Sequence, residues 1–552
     1  MGYRKADIKR TLFVIPLLCG LLWILTLDEA FGFRLSGIVV DTDGQPVGDT
    51  TVRIQGTSLS TSSDSKGLFT LTTDAVSPAG HITAWKSGYY NGGLPISAKE
   101  ASYSIRLRPI VSGDNANYQW ITSFQKENGG PPKATAEAKA CEVCHPIIVD
   151  EWKRSSHATS ASNPLFLAFY NGTGEKANSP SGPGYRLDFP NSKGNCSSCH
   201  IPASAIGNPF GADPNDATGY AREGVACDLC HKIDHTIVDR TGGYPGVLSI
   251  RFRRPADGRQ LFYGPFDDVF PGDDSFHPLY RHSDYCAPCH NGKFWDVLAY
   301  SEFQEWAASD YARKGVHCQD CHMKSSARPD RLALEAKGGI LRNPPATHSH
   351  VNYGVTDREF MTEAIQLRTK AVIDDRGIRV IATVRNANAG HAYPTGNPMR
   401  NMLLLIEAED DEGEGLPLLK GEVVPVWGGM GDRAKGNYAG LPGKGFAKVL
   451  RDALPYPADG SQQRHFKRDY PAAHWRPAVV ESDNRIAAGG SDVSTYLFKS
   501  SGNSFGKVRV TARLIYRRAY KAWMDAKGFD LPDMEIARET LWVEGKNGKS
   551  EK

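Results

Sequence analysis

The chain has 552 residues, a length that suggests about three or four domains, and its 40% hydrophobic and 23% charged residues suit a globular protein with packed cores. A formal net charge of +3 is too near balance to argue for nucleic acid or an anionic membrane surface as a partner. With 56 glycines and 34 prolines, turns, strands and loops are expected rather than long continuous helices.

Residues 1–32 read as a targeting segment. Arg4, Lys5, Lys9 and Arg10 form a basic start, residues 12–27 an apolar run, and Ala30-Phe31-Gly32 a cleavage site of small residues. The run is shorter than the ~20 residues of a membrane-spanning helix, so a cleaved signal peptide is expected, with an uncleaved N-terminal anchor as the alternative. Residues 34–108 follow as a small β-sandwich: Leu35 to Asp41 and Thr51 to Gly56 alternate, and Asp43-Gly44 and the run from Asp64 to Gly67 turn the chain. The series G-x-V-x-D-x-x-G-x-P, V-x-I-x-G, D-x-x-G-x-F-x-L and Gly88-Tyr89 resembles the carboxypeptidase regulatory-like module. That resemblance implies a non-catalytic, transthyretin-like sandwich with a structural or docking role. Its one histidine, His81, is expected at the surface. Residues 109–136, broken by Gly113, Asn115, Asn117, Gly129, Gly130, Pro131 and Pro132, read as a linker in which Tyr118, Trp120 and Phe124 have a neighbour to pack on.

Residues 138–353 hold five C-x-x-C-H motifs: Cys141 to His145, Cys196 to His200, Cys227 to His231, Cys286 to His290 and Cys318 to His322. Each is the attachment signature of c-type haem. The cysteines Cys141, Cys144, Cys196, Cys199, Cys227, Cys230, Cys286, Cys289, Cys318 and Cys321 are placed to add to porphyrin vinyl groups. The histidines His145, His200, His231, His290 and His322 then face the iron. Ten of the eleven cysteines fall in these motifs. A zinc site does not need a histidine after every pair, a disulfide framework suits a short secreted chain, and a redox C-x-x-C usually occurs once. The reading is five covalent haems c, whose attachment takes place outside the cytoplasm and so agrees with export to the periplasm or cell exterior.

The first cysteines, at 141, 196, 227, 286 and 318, are 55, 31, 59 and 32 residues apart. Tyr220-Ala-Arg-Glu-Gly-Val and Tyr311-Ala-Arg-Lys-Gly-Val precede the third and fifth motifs. Both features suggest a duplicated two-haem unit with one haem ahead of it, and hence a conducting row. The segments between motifs are poor in apolar residues, so haem faces are expected to supply much of the core. Short helices are expected at the motifs, one from Pro146.

Residues 365–543 look like a second β domain, with strands in 377–384, 401–406 and 508–516. Its run at 428–445 reads as a glycine-rich surface loop, since no phosphate-binding G-x-x-x-x-G-K-[ST] is present, and Arg517-Arg518 as a solvated face. The architecture is thus multidomain: an N-terminal β-sandwich, a largely helical and loop-built multihaem cytochrome c domain organised around five haems, and a C-terminal β-rich domain.

The strings Glu151-Trp-Lys-Arg-Ser-Ser-His157, Gln304-Glu-Trp306, Gly315-Val-His-Cys-Gln-Asp-Cys-His-Met323 and Gly390-His-Ala-Tyr-Pro-Thr-Gly396 resemble multihaem cytochromes related to the tetrahaem electron-transfer partner of hydroxylamine oxidoreductase. The resemblance implies that His157 ligates a haem iron. The chain departs from that type by a fifth motif and two β domains.

Eleven histidines remain as possible sixth ligands. His282, ahead of Cys286, is a candidate with His277 as its substitute. His317 abuts Cys318 and can reach only a neighbouring haem. His235, four residues after His231, is open between a neighbour's ligand and a surface residue. His348 and His350 alternate, so one points inward, His350 by preference. His391 would ligate from the β domain and lock two domains together. His465 and His474 read as surface or loop histidines.

Iron with two histidines has no open position and serves electron transfer, whereas a missing sixth ligand opens a site for chemistry. The leading expectation is an electron carrier between redox partner proteins. Membrane association would come through the N-terminus or a partner. The second reading is a reductase or oxidase of a small nitrogen or sulfur species at one open iron. Pentahaem nitrite reductases resemble a pattern with one lysine-ended motif, and all five here end in histidine. The third is a structural subunit of an extracellular filament.

Overall fold

The computed structural model describes residues 33–73, 80–97, 102–111, 113–124, 140–176, 180–453, 471–499 and 507–544. The expected signal peptide, part of the linker and His465 lie outside these residues.

The N-terminal β-rich region is two facing sheets. Leu68–Thr73, Phe33–Val40 and Tyr103–Arg106 form one, and Ser60–Ser62, Thr51–Ile54, His81–Trp85 and Gly92–Pro95 the other. Alternation does the sorting: in Leu68–Thr73 every second side chain is buried, as period two requires. Leu35, Val52, Phe69, Leu71, Ile82, Tyr103 and Ile105 close the core. Gly37 is needed where two strands meet, because a Cβ there would lie 2.0 Å from the Tyr103 carbonyl oxygen. The sandwich docks on residues 260–276. Arg53 makes a two-pronged pair with Asp267 at 2.9 and 3.0 Å, the Gly56 amide donates to Asp268 at 2.8 Å, and Trp85 sets its edge on Phe276 at 4.8 Å.

The described part of the expected linker is bound down. Arg254 clasps Asp114, and Trp120 stacks flat on Tyr220 at 5.4 Å and 3°. The Tyr118 hydroxyl and the Ile121 amide both donate to Asp228 inside the third motif, at 2.9 and 2.8 Å. Asp228 in turn pairs with Lys232, and both side chains are fully buried.

Between the sandwiches lie single-turn helices, 3-10 turns and two-stranded ribbons. A helix does start at Pro146 and runs Pro146–Lys153. Apolar clusters here are small, such as that of Ala205, Leu229, Ile233, Val247 and Phe252. No helix among the described residues is long and apolar enough to cross a membrane.

The C-terminal β-rich region pairs a four-stranded sheet (Ile365–Asp374, Gly377–Asn386, Ser491–Phe498, Leu418–Lys420) with a five-stranded one (Ala478–Asp483, Gly443–Asp452, Asn401–Glu409, Lys507–Arg517, Met534–Glu544). One sequence expectation holds over most of its length and another fails. Residues 429–442 are loop and short turns, exposed at 430–435, and the glycine run ends as the start of Gly443–Asp452, where Gly445 lies against the Trp427 ring. Arg517 is not solvated: its side chain is 3% exposed and pairs with Asp533 while donating to the Gly428 carbonyl at 2.7 Å. A helix between the last two strands, Lys521–Lys527, ties this region to the centre. Lys527 Nζ donates to the carbonyls of Ala168, Thr173 and Ser181 at 2.9, 3.0 and 2.7 Å, satisfying oxygens at and beyond the end of the helix Pro164–Asn171.

Candidate haem sites

Each motif sits on a tight turn of helix: Cys141–Val143, Ser197–His200, Cys227–Cys230, Ala287–His290 and Cys318–His322. Such a turn puts two thiols on one side and the histidine just beyond. All ten motif cysteines are free and partly buried.

The donor chemistry of the motif histidines tests whether they fit an iron. His145 Nδ1 faces the Leu332 carbonyl at 2.7 Å, His200 Nδ1 that of Ser160 at 3.0 Å, His231 Nδ1 that of Tyr263 at 2.5 Å and His322 Nδ1 that of Tyr353 at 2.6 Å. A carbonyl only accepts, so Nδ1 carries the proton and Nε2 keeps its lone pair for a metal. His290 Nδ1 instead faces the Glu302 carboxylate at the ion-pair distance of 3.9 Å. Burial alone would lower the His290 pKa, and Glu302 more than offsets that. Burial also works to raise Glu302, but His290, a backbone amide and Arg400 together hold it down to about 2. His200 and His322 are pushed down to about 4, mainly by burial, so the neutral, ligating form prevails at neutral pH.

Partners come from far along the chain. The ring centroids of His157 and His290 are 6.3 Å apart, and those of His322 and His391 are 6.2 Å apart. Two metal–imidazole bonds of about 2 Å each, plus the distance from each Nε2 to its ring centre, give a separation of about 6 Å. His391 Nδ1 faces the Ala392 carbonyl at 3.0 Å, again leaving Nε2 free. His350 lies close enough to His231 and His145 for their charges to lower its pKa, though burial is the larger cause. Its Nδ1 faces the His348 carbonyl at 3.2 Å. The residues therefore fit bis-histidine iron at the fourth and fifth motifs.

The motifs are joined through their thiols. Cys141 lies close enough to Cys227, Cys199 to Cys289, and Cys286 to Cys318 for each pair to shift one another's ionisation. Cys230 lies near Cys286 and Cys289. The connections run first to third to fourth to fifth, with the second joined to the fourth. Cys286 and Cys318 lie together, whereas the second and third motifs each face a different neighbour.

Residues 140–232 match the family model described as "Cytochrome c554 and c-prime", a span holding the first three motifs. No curated protein matches the chain. Among solved structures, the chain is similar to a penta-heme cytochrome c552 from Thermochromatium tepidum, at 20% identity and a TM-score of 0.49, covering 73% of this chain and 97% of that one. It is also similar to an ASH/PapD-like domain of human CEP192, at 7% identity and a TM-score of 0.13, covering 33% of this chain and 84% of that one.

The other histidines near the motifs divide by tautomer. His317 Nδ1 accepts from the Ser283 amide at 3.2 Å and caps the helix Cys318–His322, and His277 Nδ1 accepts from the Leu279 amide at 3.3 Å. An Nδ1 that accepts leaves the proton on Nε2, so neither ring offers Nε2 to a metal. His282 packs edge-on to His317 at 4.9 Å, closer than one iron allows between two ligands. His235 is exposed on the strand Ile233–Thr236, and His348 Nδ1 faces the Met323 carbonyl at 2.8 Å. His474, read from sequence as a surface residue, is 8% exposed and packs on Phe294, Tyr300 and Trp475. Its flanking Ala473 and Trp475 belong to the same buried cluster, and that apolar company is the signal the sequence offered.

Proposed function

We propose that the chain is an exported pentahaem c-type cytochrome that passes electrons along its haems between redox partners. The observation that carries this reading is the pairing of histidine rings at 6.2 and 6.3 Å on motifs whose thiols lie near one another. Haem, when bound, supplies an iron that cycles between ferric and ferrous states. The chain's part is to hold each group by two thioethers, to fix Nε2 toward the metal through Nδ1, and to keep neighbouring groups adjacent. Glu302 on His290 raises that imidazole's basicity and favours the ferric state there. Export is supported by the basic and apolar stretch ahead of residue 33 and by the extracytoplasmic chemistry of attachment.

Mass spectrometry of the mature protein should give five covalent haems with no free motif thiol. Electron paramagnetic resonance of the oxidised protein should be mostly low-spin, and His157→Ala should turn one haem high-spin without loss of a thioether. A predominantly high-spin spectrum from the unaltered protein, or fewer haems on correctly matured chain, would count against the reading.

A further inference from the structure

One end of the C-terminal sandwich carries charge without matching partners. Between Asn401–Glu409 and Lys507–Arg517, Asn401 pairs with Arg517 and Met402 with Tyr516. Continuing that register sets Arg400 opposite Arg518, like charges at facing positions, which is unfavourable unless something neutralises them. Arg518 has no ion-pair or hydrogen-bond partner among the described residues, and burial, then Arg400, both oppose its charge. Arg400 donates to the Thr395 carbonyl at 3.2 Å. It lies so close to Gly396 that a Cβ there would be 2.3 Å from Nη1 and 3.1 Å from Glu302 Oε1. Glu302 is the nearby counter-charge, but it is shared with His290.

Unsatisfied polar atoms gather at the same place. The Tyr516 hydroxyl and Glu302 Oε2 are buried with no hydrogen-bond partner, and Tyr516 lies two residues before Arg518, which follows the end of the strand Lys507–Arg517. Both arginines act on it electrostatically. Tyr300 lies near Arg400 and also near the thiols of Cys196 and Cys199. Its hydroxyl is 3.4 Å from the buried His474 Nε2, and Asn397 Nδ2 reaches it at 3.5 Å. No histidine among the described residues pairs with His200 as His157 does with His290; the ring against His200 is Phe166, stacked at 3.5 Å. Two guanidinium groups against one shared carboxylate leave this place net positive, beside the second motif.

We propose that Arg400, Arg518, Tyr516 and Tyr300 form a binding site for a small oxyanion beside the haem held by Cys196, Cys199 and His200. Guanidinium groups match oxyanions with paired, charge-assisted hydrogen bonds, the Tyr516 hydroxyl is a donor with nothing else to bind, and Tyr300 lies near both Arg400 and His474. The site goes beyond the electron-transfer reading and rests on the haem proposed at the second motif.

The test is titration of the oxidised, fully haem-loaded protein with nitrite and with sulfite, followed by visible absorption and electron paramagnetic resonance. The expected result is a saturable change at one haem with at least one of the two anions. Affinity should fall about tenfold or more in Arg518→Gln and in Arg400→Gln, the loss of a charge-assisted contact, with Arg518→Lys intermediate. Tyr516→Phe removes only an unpartnered hydroxyl, so it keeps the test open where an arginine variant misfolds; it should weaken binding about threefold or more. The proposal is overturned if neither anion gives a saturable change, or if affinity is the same in these variants. It is equally overturned if Arg518→Gln leaves the titration unchanged and lowers a haem's midpoint potential, since the arginines then neutralise haem propionates. Stepwise electrochemical reduction without added anion reports on electron transfer separately.

Discussion

Replacing His391 with alanine should convert the haem at the fifth motif from low-spin to high-spin, raise its midpoint potential and leave the haem count unchanged. His391 stands 6.2 Å from His322, ring centre to ring centre, with planes 22° apart. Removing an imidazole donor destabilises the ferric state, which moves the potential upward. The loop that carries His391 is held independently of it. Glu305 Oε2 accepts from the Ala392 amide at 3.0 Å and the Thr395 hydroxyl at 3.3 Å, and Glu305 is paired with Arg485 at 2.8 Å. The variant should therefore keep its fold and alter one spectral component. An unchanged low-spin spectrum would remove His391 from the ligand set and, with it, the link between the β-rich region and the fifth motif.

The largest stability effect should come from Asp228→Ala. Asp228 and Lys232 are both fully buried in their side chains, and Asp228 also holds the Tyr118 hydroxyl and the Ile121 amide. Alanine leaves Lys232 charged and unpaired in the interior, an error of about 3–5 kcal/mol. The double variant Asp228→Ala with Lys232→Met should recover much of that loss, because the stranded charge is gone, while the contacts to Tyr118 and Ile121 stay broken. Chemical denaturation of samples matched for haem content measures both. A single-variant loss under about 1 kcal/mol would mean that water reaches the pair and that residues 113–124 are not anchored there.

These two variants probe what differed most between sequence and structure. The attachment motifs are legible residue by residue because their chemistry is local: two thiols and an imidazole within five positions serve one porphyrin. The sandwiches are legible because burial on one face of a strand imposes period two, as in Leu68–Thr73. Other features depend on which surfaces come together, and no local rule encodes that. His157 was placed by resemblance alone, and its facing ring on His290 comes from a motif far along the chain. Likewise, spacing suggested repeated pairs, whereas packing turns Cys199 to Cys289 and Cys227 to Cys141. Arg517 and His474 looked like surface residues because charge and polarity set the prior for exposure; they are buried because Asp533 and a cluster of aromatic rings meet them only in the folded chain. Sequence by itself determined where the attachment motifs lie and which strands form. Which motifs come together, the rings that face His290 and His322 and the unmatched arginines at Arg400 and Arg518 were decided by tertiary structure, because each is a relation between segments brought together only by packing.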